Sequence, residues 1–73
     1  MLSRMKTLMV KYYDENNQFL YEPCYESYGE AGFKGHKEWL ESHLPEGHLA
    51  IMLAYDNGEL VHVEPIKRAV VLV

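Results

Sequence analysis

Four histidines and a single cysteine are the residues of this chain that could hold a transition metal. They are Cys24, His36, His43, His48 and His62. On a helix, the spacing between His36 and His43 separates the two rings by about 10 Å along the axis, which is too far for one shared ion. His43 and His48 have a spacing found in zinc fingers, but Pro45 breaks the helix between them and no pair of cysteines precedes them. The pattern predicts no metal site and no cofactor.

Catalytic groups do not stand in a sequence context typical of an enzyme. The glycines from Gly29 to Gly35 are flanked by acidic residues, which would repel the phosphate that a glycine-rich loop binds. A chain of 73 residues forms one domain with few interior positions to spare for a reaction. We predict a single domain over residues 1–73 that is not an enzyme. Cys24 is expected to be a half-buried strand residue, since no neighbouring motif would activate its thiol.

The segment from Tyr12 to Phe33 has the most unusual composition, because it contains five acidic residues and five tyrosines but neither Lys nor Arg. Tyrosine is enriched at recognition surfaces, and acidic residues around it steer a basic partner. We predict a partner-binding face made of Tyr12, Tyr13, Asp14, Glu15, Tyr21, Glu22, Tyr25, Glu26, Tyr28 and Glu30. In the other interpretation, Tyr12 and Tyr21 are cross-strand core partners, and the acids form an ordinary solvated rim.

The overall charge favours a protein partner with a basic surface. Eleven acidic residues against seven Lys and Arg give a formal charge of −4, which opposes direct binding to nucleic acid or to an anionic membrane. The longest apolar run, from Leu49 to Tyr55, is far shorter than the roughly 20 residues of a membrane span, and the first residues lack the apolar segment of a signal peptide. We therefore expect a cytoplasmic protein, in agreement with its one unpaired cysteine.

A resemblance follows from Tyr12-Tyr13-Asp14-Glu15 and from the stretch Tyr21 to Tyr28. With these residues, and in size, acidity and lack of catalytic groups over its whole length, the chain resembles the small phage-encoded transcription regulators of the Xanthomonas-phage type that bind host RNA polymerase. The resemblance implies a partner in the polymerase, inhibition of promoter-dependent initiation, and antitermination in the host cytoplasm. It carries over no functional residue.

Two alternatives use other residues. A metal- or nucleic-acid-binding module would depend on histidines and cations, although the net charge opposes it: His36, His43, His48, Lys34, Lys37, Lys67 and Arg68. A self-associating structural protein would form a homodimer through the apolar C-terminal strand at Val70 to Val73. We interpret the pair Lys67-Arg68 as charges that protect that strand from aggregation, in preference to a phosphate clamp.

An α+β fold of the order ββαββ is expected to position these groups, with an antiparallel sheet and one short helix packed on one face. Alternation predicts a first strand from Met5 to Tyr13, with Leu8, Val10 and Tyr12 on one face. A second strand from Phe19 to Tyr25 completes a hairpin. Because a proline cannot donate to a ladder, Pro23 predicts that this strand is an edge or ends near Glu22.

The helix is predicted to be short. The glycine-rich segment from Ser27 to Gly35 reads as a loop whose buried residue is Phe33. Helical spacing then predicts a helix over His36–Leu44, through Trp39, Leu40, His43 and Leu44. Nine residues cannot hold a helix alone, so Trp39 and Leu40 are expected to dock on the sheet, with His43 helping to cover it.

The segment Asp56-Asn57-Gly58 predicts a hairpin between His48–Tyr55 and Glu59–Glu64. A two-residue turn would place Leu53 opposite His62 and mix apolar and charged groups on one face. A three-residue loop with a bulge at Gly58 pairs Tyr55 with Glu59, Leu53 with Val61 and Ile51 with Val63, which leaves one face wholly apolar, so we expect the longer loop. Residues 66–73 are expected to add a fifth, C-terminal strand.

Overall fold

The computed structural model describes residues 6–26 and 29–68, which form an antiparallel sheet of five strands with one helix packed against it. The elements are β1 (Thr7–Tyr13), β2 (Phe19–Tyr21), β3 (Cys24–Glu26), α1 (Glu30–His43), β4 (Leu49–Asp56) and β5 (Glu59–Lys67). The strand order is β2-β1-β4-β5, and β3 also pairs with β1. The predicted α+β fold and its ββαββ order are confirmed, since β2 and β3 are two halves of the predicted second strand.

The first hairpin forms for the reasons that the sequence indicates. Leu8 and Val10 of β1 are fully buried on one face. In the turn, the Asp14 carboxylate accepts hydrogen bonds from the backbone N–H groups of Asn16 and Gln18, at 2.8 and 2.9 Å, as acidic turn residues commonly do. Pro23 separates β2 from β3, and its carbonyl accepts a hydrogen bond from the Val10 N–H at 3.0 Å. The predicted end of the strand near Glu22 is confirmed.

The helix is longer than predicted, because it begins at Glu30 and contains 14 residues. The interpretation of Ser27–Gly35 as a loop is therefore wrong from Glu30 onward, while Ser27 and Tyr28 lie outside the described residues. Phe33, Leu40 and Leu44 lie seven and eleven positions apart on one helical stripe, and all three are buried. Burial of this stripe outweighs the low helix propensity of the glycines, since packing decides the fate of a short helix.

The prediction that Trp39 docks on the sheet is wrong. Its side chain is 54% exposed, whereas its neighbour Leu40 is 0% exposed. Adjacent helical residues point about 100° apart, so only one of the two can face the sheet. His43, four residues after Trp39, is exposed with it, and it does not cover the sheet. The helix docks through Phe33, Leu40 and Leu44, and ends where the Leu44 N–H bonds the Leu40 carbonyl ahead of Pro45.

The second hairpin has a two-residue turn, so the predicted three-residue loop is wrong. Asp56 pairs with Glu59, and Asn57 and Gly58 both take left-handed backbone angles, with φ of 52° and 82°, as the tight hairpin turn requires. The ladder then shifts between Ala54 and Tyr55, where Val61 is the extra residue of a bulge. Leu53 therefore pairs with Val63, and Ile51 with Pro65, in place of the predicted Tyr55–Glu59, Leu53–Val61 and Ile51–Val63 pairs.

The helix covers the opposite sheet face from the one that carries Ile51, Leu53 and Val63. The buried core contains Leu8, Val10, Phe33, Leu40, Leu44, Ala50, Met52, Ala54 and Ile66. Because successive strand residues alternate between faces, Ile51, Leu53 and Val63 share a largely apolar face, but this face lies away from the helix and also carries Lys11 and Lys67. Ile66 and Lys67 continue β5 beyond Pro65, so they do not start a separate fifth strand, and residues 69–73 lie outside the described residues.

An ion-paired cluster attaches the helix to β5. Glu64 pairs with the Lys37 ammonium, and its second oxygen lies 2.9 Å from Nε2 of His62. The hydrogen bond from Lys37, followed by the one from His62, holds the pKa of Glu64 below its ordinary value of 4.5. Since ionised Glu64 is favoured in the folded chain, its contribution to the free energy of unfolding is present above pH 4.5 and is lost as the pH falls through the lowered pKa.

Replacing Glu64 with glutamine is expected to lower the free energy of unfolding by about 1 kcal/mol or less at neutral pH, because the pair is partly exposed. Urea unfolding between neutral and strongly acidic pH measures the difference from the unaltered chain, and Glu46→Gln, an exposed site, is the matched control. The deficit of Glu64→Gln should shrink below pH 4.5. A deficit that stays constant at every pH would show that the carboxylate charge does not stabilise the fold.

Candidate protein-interaction groove

The ten residues of the predicted binding face do not form one patch. Tyr12 and Tyr13 are neighbours in β1 and so lie on opposite faces of the sheet. Tyr12, Tyr21 and Tyr25 are on the helix side, since Tyr12 pairs with Tyr21 and the buried Leu8 pairs with Tyr25. Glu26 pairs with Thr7 on the other side. Glu22 and Glu30 are exposed, and Tyr28 lies outside the described residues. The predicted acidic face is therefore divided between the two sides of the sheet.

The first acidic pair has a structural part in the hairpin. Asp14 caps the turn, as described above, and Glu15 Oε2 lies 2.9 Å from Nε2 of His48. Gly47, with φ of +83°, lets the connection after the helix approach closely: a Cβ there would lie 3.0 Å from the Cβ of Glu15. The tip of the first hairpin is therefore held against the segment that joins α1 to β4.

A groove of about 240 Å³ lies between these two segments. The β1–β2 hairpin contributes three residues, and the end of the helix with the following connection contributes the others. The lining residues are Tyr12, Leu20, Tyr21, Trp39, Leu40, His43, Leu44, Pro45 and His48. We call this site the aromatic groove. It unites two predicted binding residues, Tyr12 and Tyr21, with helix residues that the sequence interpretation assigned to the core.

Two stacked ring pairs shape the aromatic groove. The rings of Tyr12 and Tyr21 are 4.6 Å apart and nearly parallel, at 18°. Trp39 and His43, one helical turn apart, stack at 4.6 Å and 11°. His43 Nδ1 lies 2.9 Å from the Trp39 carbonyl oxygen, which can only accept, so Nδ1 carries the hydrogen of this bond. Stacking and this bond orient the indole at the groove.

The groove exposes large apolar side chains. Tyr21 is 57% exposed, Trp39 54% and Leu20 45%. Exposed Trp and Tyr beside a concave apolar surface are typical of the residues that dominate binding energy at protein interfaces. Trp39 was missed because its helical spacing resembles that of a core residue. The available signal was its position next to Leu40, which cannot face the same way.

Charge around the aromatic groove is neutral to acidic. Burial, followed by the neighbouring Tyr25 and Tyr21, raises the pKa of Tyr12 to about 12, so its phenol keeps its proton at every physiological pH. Glu15 is 59% exposed beside the lining residue His48. None of the described residues that line the groove is Lys or Arg. The groove therefore suits a cationic or neutral segment better than an anionic one.

Comparison with family models, with curated proteins and with solved structures finds no match to this chain. No relative assigns it a function. Its function is therefore inferred from the chemistry of the groove.

The histidines and the cysteine do not gather. Among residues 6–26 and 29–68, no group of three or more His, Cys, Asp or Glu side chains is placed to hold a metal ion. His48 pairs with Glu15 and His62 with Glu64, on different parts of the molecule. Half-burial lowers the pKa of His36, which favours its neutral ring. Cys24 is exposed in β3, so the prediction that it is half-buried is wrong.

Within the described part of the chain, no helix has the length and apolar character needed to cross a bilayer.

Proposed function

We propose that this protein is a protein-interaction module whose aromatic groove binds a basic segment of a larger partner. The observation that carries the proposal is the exposure of Trp39 and Tyr21 at one groove. A small domain has few large apolar residues to spare from its core. The chain nevertheless places its only tryptophan in solvent and holds it there by stacking on His43.

A basic segment is the ligand that the groove recognises best. The faces of Trp and Tyr rings attract Lys and Arg cations, and the aliphatic stems of those side chains pack on exposed apolar residues such as Leu20 and Pro45. The net charge of −4 and the exposed carboxylate of Glu15 steer such a segment toward the protein. Cation binding to the rings and long-range attraction therefore favour the same class of partner.

The proposed partner is a nucleic-acid-processing machine, with host RNA polymerase as the first candidate. Machines of this kind present extended basic surfaces, because they must bind the phosphate backbone. An acidic module that occupies such a surface competes with nucleic acid and so inhibits transcription or redirects termination. The resemblance to small phage-encoded polymerase regulators favours this partner over other basic proteins.

Calorimetric titration of purified host RNA polymerase with the full chain tests the proposal. Trp39→Ala is expected to weaken binding about thirtyfold, the effect of losing roughly 2 kcal/mol at a central interface residue. Phe19→Ala is the matched control. Phe19 is an aromatic residue of the β1–β2 hairpin that is as exposed as Trp39, at 53%, but its side chain does not line the groove. Unchanged binding by Trp39→Ala would eliminate the groove as the site.

The electrostatic part is tested in the same titration with two charge reversals. Glu15→Lys and Glu59→Lys change the net charge equally, but Glu15 adjoins the groove, whereas Glu59 lies at the turn between β4 and β5. Only Glu15→Lys should weaken binding strongly and reduce its salt dependence. If the polymerase does not bind at all, an Arg- and Lys-rich peptide titrated into the same variants decides whether the groove binds basic segments of another machine.

A further inference from the structure

The sheet face that the helix does not cover carries a continuous apolar strip across β1, β4 and β5. Strand alternation and pairing place on it Met9, Ile51, Leu53, Leu60, Val63 and Pro65. Val63 is 48% and Leu60 46% exposed. Within residues 6–26 and 29–68, the one helix lies on the opposite face, so no second layer covers these side chains. We call this surface the open face.

We propose that the open faces of two copies of this chain pack against each other and form a homodimer of sheets. A sheet with an apolar face must bury it against another layer, and contiguous apolar patches of this kind on a monomer mark an interaction site. A second copy is the occupant that the arrangement of charges on the open face selects.

The pairing registers define rows of residues that run across the open face. The central row is Cys24, Met9, Leu53 and Val63. On one side of it lies the row of Lys11, and on the other side the row of Thr7 with its partner Glu26. A two-fold axis along the central row stacks the apolar centres and brings Lys11 of each copy over the Glu26 row of the other. The face is therefore complementary to itself in charge at Lys11 and Glu26, and Lys67, which pairs with Leu49, lies outside these rows.

The size of the open face agrees with a weak dimer. β1, β4 and β5 contain 7, 8 and 9 residues. The edge strands β2 and β3 add a fourth strand position beside β1. With spacings of 3.3 Å along a strand and 4.8 Å between strands, four strand positions cover about 25 by 19 Å, or roughly 475 Å². Two such faces bury roughly 1,000 Å² in total, which is the lower bound for a specific interface. We expect dimerisation at micromolar concentrations and monomers below them.

This dimer would leave both aromatic grooves accessible, because each groove lies on the helix side of its own sheet. A complex of two copies would then present two groove sites on its outer surfaces. Dimerisation does not depend on the proposed partner, so the two proposals can fail separately.

Sedimentation of the full chain over a wide concentration range, with no partner present, measures the dimer directly. Val63→Lys is expected to raise the dimer dissociation constant at least about tenfold, since it buries a charge at the apolar centre. Leu20→Lys is the matched control, because Leu20 is similarly exposed, at 45%, but lines the groove on the helix side of the sheet. The dimer dissociation constant of Leu20→Lys should therefore equal that of the unaltered chain. A chain that stays monomeric throughout, or a Val63→Lys variant that still dimerises, would overturn the proposal.

Charge exchange tests the orientation without loss of apolar contacts. Lys11→Glu and Glu26→Lys should each weaken the dimer, and the double variant should recover the original constant. Because Cys24 is the only cysteine and lies in the central row, a short bis-maleimide should link two copies in the native chain and not in Val63→Lys. Failure of the double variant to recover would refute this orientation even if Val63→Lys does not fold.

A charged substitution among the C-terminal residues of the full chain distinguishes the other possible contacts. Equal dimerisation of Val71→Lys supports the proposal. Dimerisation that is lost in Val71→Lys but survives Val63→Lys would assign the contact to the C-terminal residues, and dimerisation that appears only in Val71→Lys would show that these residues cover the open face. Either of these two results would overturn the homodimer of sheets.

Discussion

Leu40→Ala is expected to lower the free energy of unfolding by about 2 to 5 kcal/mol, the range measured when a buried leucine is truncated. Leu40 is fully buried and belongs to the cluster in which Phe33 and Leu44 of the helix meet β1, β4 and Ile66 of β5. A domain of this length has roughly 4 to 11 kcal/mol of stability in total. The variant should therefore be largely or partly unfolded at 37 °C.

Trp39→Ala is the matched control for Leu40→Ala, because the two residues are adjacent in the same helix. Trp39 is mostly exposed, and its removal should cost about 1 kcal/mol or less, the value of one ring stack at the surface. Urea unfolding followed by far-ultraviolet circular dichroism measures both changes. If Trp39→Ala proved the more damaging variant, the helix would be rotated from the position described here, and the aromatic groove would lose its main residue.

The strand pattern of this protein could be predicted because it depends on local alternation and on turn chemistry. Leu8 and Val10 were placed on one face by period two alone, and Pro23 marked the strand break because its backbone nitrogen carries no hydrogen. The position of the turn at Asn57-Gly58 was predictable in the same way. In each of these cases the cause lies within a few residues of the effect.

The register of β4 against β5 could not be predicted, because it depends on an irregularity that no local signal marks. The alternation argument correctly rejected a regular ladder from a two-residue turn, which would mix Leu53 with His62. The chain solves that conflict with a bulge at Val61, not with a longer loop. The sequence also did not specify which apolar face the helix covers. Ile51 and Leu53 are larger than Ala50 and Ala54, so residue size favours the face of Ile51 and Leu53, yet Ala50 and Ala54 are the residues that are buried.

Two of the nine residues that line the aromatic groove were predictable as binding residues. Composition identified Tyr12 and Tyr21 as candidate binding residues, and their cross-strand pairing agrees with the hairpin. It could not show that Trp39 and His43 face them across a groove, because this depends on helix phase and on where the helix ends relative to the first hairpin. The acidic residues did not gather, since Asp14 and Glu15 lie in the first turn, Glu26 lies on the sheet face away from the helix, and Glu30 begins the helix.

Phe33→Ala is expected to cause the second large loss in the free energy of unfolding, because Phe33 lies in the part of the helix that the sequence interpretation treated as a loop. Phe33 is buried in the core, and its ring meets the His62 ring edge-on at 5.4 Å, next to the Glu64 ion pair. Truncation of a buried phenylalanine costs about 3 to 5 kcal/mol. If residues 30–35 were a surface loop, Phe33 would be an isolated anchor. In a helix it shares its stripe with Leu40, so its loss should also release the first turns.

Gly35→Ala distinguishes these two cases by the sign of its effect. Gly35 lies inside the helix, and a Cβ added there meets nothing within 4 Å. Alanine in a helix interior is favoured over glycine by about 0.5 to 1 kcal/mol, so the free energy of unfolding should rise by that amount and the helical circular dichroism signal should increase. Amide hydrogen exchange of residues 33–36 should slow in Gly35→Ala and accelerate in Phe33→Ala, because the same first turns are stabilised in one variant and released in the other. A neutral or destabilising Gly35→Ala would return this segment to a loop, and the helix would then begin where its glycines end.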